Sequence, residues 1–209
     1  MARAPRHQVP DGLYHVTTRG TEGRDIYLND DDRRFFVHLV AKAVERFLWR
    51  CYAYCLMSNH FHLMVETPHP NLAQGMHLVN GTYAQWFNDR YDRAGHLFQS
   101  RYSSAVIERE PHLLESCRYI VLNPVRAGLC HRAGLWRWSS YRATAGLTHS
   151  PAFLDRDGVL DLFADDRRRA IVNYVEFVAD GARENGHSDF GHVRGLAPDM
   201  AATTGSRRT

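Results

Sequence analysis

The sequence predicts an α+β fold: an antiparallel sheet with helices packed on one side, followed by a C-terminal helical extension. Two observations predict it. Short β-prone runs alternate with amphipathic stretches of helical period in the order β, α, β, β, α, β, α. Two of the β-prone runs are also joined by a two-residue polar turn, which suits only an antiparallel pair.

Residues 12–19 (GLYHVTTR) alternate and are rich in β-branched and aromatic side chains, which predicts a first strand ended by Gly20. A short stretch at 25–28 leads into Asn29-Asp30-Asp31-Asp32, capping and acidic residues suited to the positive end of a helix. Phe36, Leu39, Val40, Ala43, Val44 and Phe47 then recur at three and four, so the first helix follows. Residues 49–57 and 61–67 form the hairpin around Ser58-Asn59, and Pro68 and Pro70 end it. A second helix over 72–89 places Met76, Val79, Tyr83, Trp86 and Phe87 on one stripe, and Gly95 marks the loop after it. Residues 103–107 supply a further strand. Pro111 opens a third helix that Pro124 is expected to terminate, because proline cannot continue the backbone ladder. Short helices are expected over 136–145 and 165–179. This order is the ferredoxin-like split arrangement with an added helix.

The 209 residues have room for one well-cored domain of about 150 residues and a smaller appendage. The expected division is a domain over 1–146, a helical extension over 147–183 and a flexible tail over 184–209. A hydrophobic fraction of 44% and a charged fraction of 23% exclude wholesale disorder. No apolar run approaches the roughly 18 residues of a membrane span, and the N-terminus leads into no apolar signal core, so the chain is expected in the cytoplasm with no membrane partner. Cys51, Cys55, Cys117 and Cys130 form no CxxC pair. Cys51 and Cys55 are expected to share a strand face as reduced filler. The formal charge of +3 is modest, yet Lys42 is the single lysine among 26 basic residues. Arginine's planar fork suits phosphates and base faces, which raises nucleic acid as a partner; a GC-rich genome would enrich arginine equally.

His60-Phe61-His62 opens a strand, so the two imidazoles project together while Phe61 faces the other way. Alone, this is either a metal-binding pair or a solvated or packed pair. Tyr119 and Asn123 lie four apart and share a helix face. They are either a nucleophile beside a metal ligand or an ordinary core tyrosine with a helix-end amide.

Five blocks in order resemble a known family: residues 12–20 (GLYHVTTRG), 54–63 (YCLMSNHFHL), 95–102 (GHLFQSRY), 118–129 (RYIVLNPVRAGL) and 138–141 (WSSY). They look like the REP-associated tyrosine transposases of the HUH single-tyrosine class, in which a hydrophobic residue separates two metal-binding histidines. The resemblance spans about 12–146. It implies that His60 and His62 bind metal and that Tyr119 is the nucleophile. Related insertion-sequence transposases place a glutamine four residues beyond the tyrosine as a third ligand; Asn123, one methylene shorter, holds that position. Glu66 shares strand parity with the histidines and either joins the shell or is a solvated strand-end residue.

The implied chemistry is metal-dependent breaking and joining of single-stranded DNA through a 5′-phosphotyrosine. A divalent cation neutralises the phosphate charge that repels nucleophiles. Two imidazoles and an amide oxygen suit Mg²⁺ or Mn²⁺, with the histidines tilting the choice toward Mn²⁺. Tyrosine conserves a phosphoester that a 3′-hydroxyl can later attack, whereas water would lose it. Tyr91, Tyr102 and Tyr141 are rival nucleophiles, and the spacing to Asn123 favours Tyr119.

Single-stranded or hairpin DNA is the expected partner, bound by cations that track phosphates and by rings that stack bases. The candidates are Arg90, Arg93, His96, Phe98, Arg101, Tyr102, Arg118 and Arg126, with Arg19 and Arg24 after the first strand. A solvated arginine-rich loop with packed aromatics is the alternative for any of them. The resemblance points to repetitive extragenic palindromic hairpins and to a monomer rather than a dimer. Two other functions fit the same residues: a phosphodiesterase using water, and a catalytically silent hairpin-binding protein.

Overall fold

The computed structural model describes residues 9–107 and 112–184. The tail expected over 184–209 lies outside them apart from Glu184, and so does Pro111. The elements run β1 (Gly12–Arg19), α1 (Asp30–Phe47), β2 (Arg50–Leu56), β3 (His60–Thr67), α2 (Leu72–Arg90), β4 (Ser103–Val106), α3 (His112–Arg126), α4 (Tyr141–Thr144), α5 (Arg156–Leu160) and α6 (Arg167–Glu184). The four strands form one antiparallel sheet in the order β2-β3-β1-β4. Each crossover, β1–α1–β2 and β3–α2–β4, skips one strand, which is the split ferredoxin-like pattern expected.

The start of α1 is set locally. Asn29 Oδ1 accepts from the backbone N–H of Asp31 (2.9 Å) and Asp32 (3.2 Å), and Asp32 returns the bond to the Asn29 N–H at 3.1 Å. This capping box, with three acids in the first turn, satisfies donors that the helix leaves open. At the other end Leu48 adopts left-handed backbone, φ 57°, to turn into β2. In α2, Gly75 makes room for Trp49, since a Cβ there would lie 2.2 Å from the indole ring.

Helices α1 and α2 cover one face of the sheet, packing on Tyr14, Val16, Phe61, Leu63 and Val65. The added helix α3 covers the other face together with α5 and α6. Its Cys117, Ile120 and Val121 join Leu13, Met64, Val159, Leu160, Tyr174 and Val178 in a second core. Both faces of the sheet are therefore closed, and residues 147–183 contribute side chains to the same core as the sheet.

Three expectations need correction. A β-bulge between Cys51 and Ala53 breaks the alternation of β2, so Cys51 packs in the first core and Cys55 in the second instead of sharing a face. Pro124 does not end α3, which continues to Arg126 before Gly128 turns the chain at φ 69°. Proline removes one ladder bond, and nearby side chains serve the carbonyls there: Asn123 Nδ2 donates to the Tyr119 carbonyl at 2.9 Å and reaches the Ile120 carbonyl at 3.5 Å, and Arg126 Nη1 donates to Tyr119 at 3.3 Å. Finally, only Tyr141–Thr144 of the stretch 136–145 is α-helical. The preceding residues pair with the open edge of β2, where Leu56 N–H donates to the Trp138 carbonyl (2.8 Å) and Ser140 N–H to that of Tyr54 (3.0 Å). An unpaired sheet edge competes successfully with helix for those groups.

Candidate active site

Strand parity builds the site. Because Phe61, Leu63 and Val65 are committed to the first core, His60 and His62 face α3. On the neighbouring strand, Thr17 pairs with His62 and Arg19 with His60, so His15 shares that face. Helix α3 crosses above and brings Tyr119 down onto the histidines. Its ring centroid lies 6.0 Å from that of His62 and 5.9 Å from that of His15, edge-on to both. Tyr119 stays 38% exposed while the histidines beneath it are covered.

The ring nitrogens are divided between held and open atoms. His60 Nδ1 meets Asn59 Oδ1 at 2.7 Å, and Asn59 Nδ2 donates to the Gly23 carbonyl at 2.9 Å. The amide oxygen therefore faces His60, whose Nδ1 carries the proton and whose Nε2 keeps a lone pair. His62 Nδ1 lies 2.9 Å from His15 Nε2. His62 Nε2 is buried with no hydrogen-bond partner of good geometry. Asn123 lies beside this ring and favours its protonated form, against the larger opposing effect of burial.

Electrostatics keep these rings neutral. Burial pushes His15 down to about 4, and burial with the nearby Arg19 cation pushes His60 down to about 4. Burial, then His15, His60 and Arg126, hold His62 well below the ordinary histidine range. Neutral imidazoles have the lone pairs that a cation needs. Arg126 stacks over the Tyr119 ring at 4.6 Å from its centroid, and burial lowers its own pKa.

The residues expected to be functional divide by location. His60, His62, Tyr119, Asn123 and Arg126 converge. Arg19, at the end of β1, is exposed beside them. The segment carrying His96 and Phe98 docks along the same end of β1, with Thr21 N–H donating to Leu97 and Gln99 N–H to Arg19. His96 and Arg101 are exposed there, and Arg24 is exposed but paired with Glu22 at 2.6 Å.

Others belong to the scaffold. Tyr102 is buried in the first core and Phe98 packs on Phe61 and Tyr83, so neither ring is placed to stack on a base. Arg90 lies near Asp31 and Asp32 across the other face, at 3.7 Å from each, and Arg93 covers Phe87. Arg118 is 11% exposed, pairs with Glu115 and stacks on Phe177 of α6, which takes it away from the site. Tyr91 donates to Asp32, and Tyr141 packs against Tyr174. Glu66 accepts from Tyr52 at 2.6 Å, four residues and roughly 13 Å along the strand from His62, outside any shared shell.

The residue that motif reading missed is His15. The signal was its parity: it lies two positions from Leu13 and two from Thr17, on the face opposite Tyr14 and Val16. Among the described residues, no three of His, Cys, Asp or Glu are disposed to hold an ion, so His15 does not complete a three-histidine centre.

The profile of the family described as "Transposase IS200 like" matches residues 8–123, more than half of the chain. The protein belongs to the IS200-like transposases. No curated protein sequence matches this transposase. Among solved structures, it is similar to a REP-associated tyrosine transposase bound to a REP hairpin, at 16% identity and a TM-score of 0.60, covering 73% of this chain and 90% of the other. At that identity the likeness establishes the fold. A chain from Deinococcus radiodurans R1 assigned to the transposases aligns more loosely, at 13% identity and a TM-score of 0.39 over 54% of this transposase and 88% of the other chain. No helix among the described residues is long and apolar enough to cross a membrane.

Proposed function

We propose that this transposase breaks and rejoins single-stranded DNA through a covalent 5′-phosphotyrosine at Tyr119, with a divalent metal ion held by His60, His62 and Asn123. The observation that carries the reading is a half-exposed Tyr119 seated edge-on over buried, neutral histidines, one of which keeps an unpartnered ring nitrogen. A buried polar atom without a partner is costly, and a cation at Nε2 would supply one. His60 Nε2, His62 Nε2 and the Asn123 oxygen fit Mn²⁺ or Mg²⁺. When bound, the ion neutralises a non-bridging phosphate oxygen and favours in-line attack.

The side chains do the rest. The Tyr119 oxygen attacks phosphorus as the bond to the 3′-oxygen breaks; the phenol loses its proton and the leaving 3′-oxygen takes one up, so the phosphoester is conserved for a later 3′-hydroxyl. Arg126, held over Tyr119, and Arg19, beside His60, are placed to meet phosphate oxygens flanking the scissile bond. The structurally similar transposase is bound to a REP hairpin, which supports an imperfectly paired hairpin as the substrate here.

Incubation with Mn²⁺ and end-labelled hairpin DNA should yield an adduct that survives denaturation, and Tyr119→Phe should abolish it while still binding the hairpin. Cleavage that persists in Tyr119→Phe would instead indicate a water nucleophile, and binding without any product would indicate a silent hairpin-binding protein.

A further inference from the structure

We propose that His15 is a positioning residue: it accepts the Nδ1 proton of His62, fixes that ring's tautomer and rotation, and so leaves the His62 Nε2 lone pair open beside Tyr119. The inference deepens the metal site proposed above and rests on that reading only for its functional consequence; the tautomer itself is a property of the metal-free protein.

Geometry carries the argument. His62 has two ring nitrogens and one proton. Nδ1 has a partner, His15 Nε2 at 2.9 Å, and Nε2 has no partner of good geometry. A buried N–H without an acceptor is rarer and more costly than a buried lone pair without a donor. The proton therefore belongs on Nδ1, donated to His15 Nε2, and His15 carries its own proton on Nδ1. The two rings stack with centroids 5.1 Å apart and planes inclined by 25°, which limits rotation of His62 about its Cβ–Cγ bond. His15 is buried and sits in mid-strand on β1, so its position is set by the sheet, through the pairing of His15 with Met64 and Thr17 with His62.

The arrangement repeats the one at His60, where Asn59 takes the Nδ1 proton and leaves Nε2 open. Both histidines thus present the same nitrogen, each fixed by a different neighbour. Ligating histidines generally have the opposite nitrogen held by an acceptor, and losing that acceptor typically costs 10–100-fold in metal affinity. Here an imidazole takes the place more often filled by a carboxylate or carbonyl. A neutral acceptor adds no negative charge next to a site that must bind a phosphodiester.

The test uses the full chain. Nitrogen-15 spectra of the metal-free wild type at neutral pH should show His62 with a protonated Nδ1 and an unprotonated Nε2. In His15→Phe, which keeps a ring but removes the acceptor, the His62 signals should move toward a mixture of tautomers, and Mn²⁺ affinity measured by titration should fall roughly 10–100-fold. His15→Gln, which restores an acceptor oxygen, should recover most of that loss. A wild-type His62 protonated on Nε2, or His15→Phe with wild-type Mn²⁺ affinity, overturns the proposal. If the wild type shows the expected tautomer but binds no Mn²⁺, the positioning stands and the metal-site reading falls.

Discussion

At the residue scale, Asn123 joins the scaffold to the candidate site. Its nitrogen caps the Tyr119 carbonyl that Arg126 also serves, and its side chain lies beside His62, whose protonated form it favours. Asn123→Ala should therefore lose roughly 1 kcal/mol of stability from the missing hydrogen bond and at least 10-fold in Mn²⁺ affinity, read by urea denaturation and by titration. Asn123→Gln should keep the affinity; an alanine variant that binds Mn²⁺ like wild type removes Asn123 from the shell. The buried histidines also give the metal-free protein a pH signature. His15 and His60 are held down to about 4 in the folded chain, against about 6.5 when unfolded, so the unfolded chain binds more protons between those values. Stability is then complete above pH 6.5 and falls as pH drops toward 4, by up to roughly 1.4 kcal/mol per pH unit for each histidine. Urea midpoints at pH 7, 6 and 5 should show this decline, and His60→Gln should make it shallower while His15 and His62 sustain the remainder; a constant midpoint down to pH 5 would contradict the assignment.

At the element scale, helix α3 matters most because it carries the nucleophile over a sheet face that the ferredoxin-like unit alone would leave open. Its axis is fixed by Cys117, Ile120 and Val121 against the sheet and by Arg118 against α6. The crossing of α2 over Trp49 sets the opposite layer. Gly75→Ala gains helix propensity of about 1 kcal/mol but drives a methyl into the indole, and overpacking of this kind costs about 1–3 kcal/mol. The net effect should be destabilising, with a lower urea midpoint and an unchanged slope; a stabilised variant would show that Trp49 shifts freely. Much of this level was legible in sequence. Periodicity marked both long helices, and the hairpin turn placed β2 and β3. The bulge at Cys51, the passage of α3 through Pro124 and the edge pairing of residues 136–140 were not, because each depends on hydrogen-bond partners supplied from elsewhere in the chain.

At the scale of the whole molecule, two cores share one sheet. The second is completed by Val159, Leu160, Ala170, Tyr174 and Val178, all beyond residue 146 and all buried. Fully burying an aliphatic or aromatic side chain contributes about 1.5–3 kcal/mol, so these residues account for a large part of a marginal stability. A chain ending at Gly146 should melt at least 10 °C lower or bind a hydrophobic dye in its native state, because the outer surface of α3 would face water. Melting at the full-length temperature would show that α5 and α6 are dispensable to the fold.

The sequence by itself determined the strand and helix order, the shared face of His60 and His62, and the shared face of Tyr119 and Asn123, because these follow from the periods of strand and helix. The family blocks gave those residues their candidate roles. Only the tertiary structure decided that α3 lies on the histidine face and that Tyr102, Phe98 and Arg118 belong to the scaffold. It alone placed His15 against His62. Such facts depend on which groups from distant segments satisfy one another once water is excluded, and no local period encodes that.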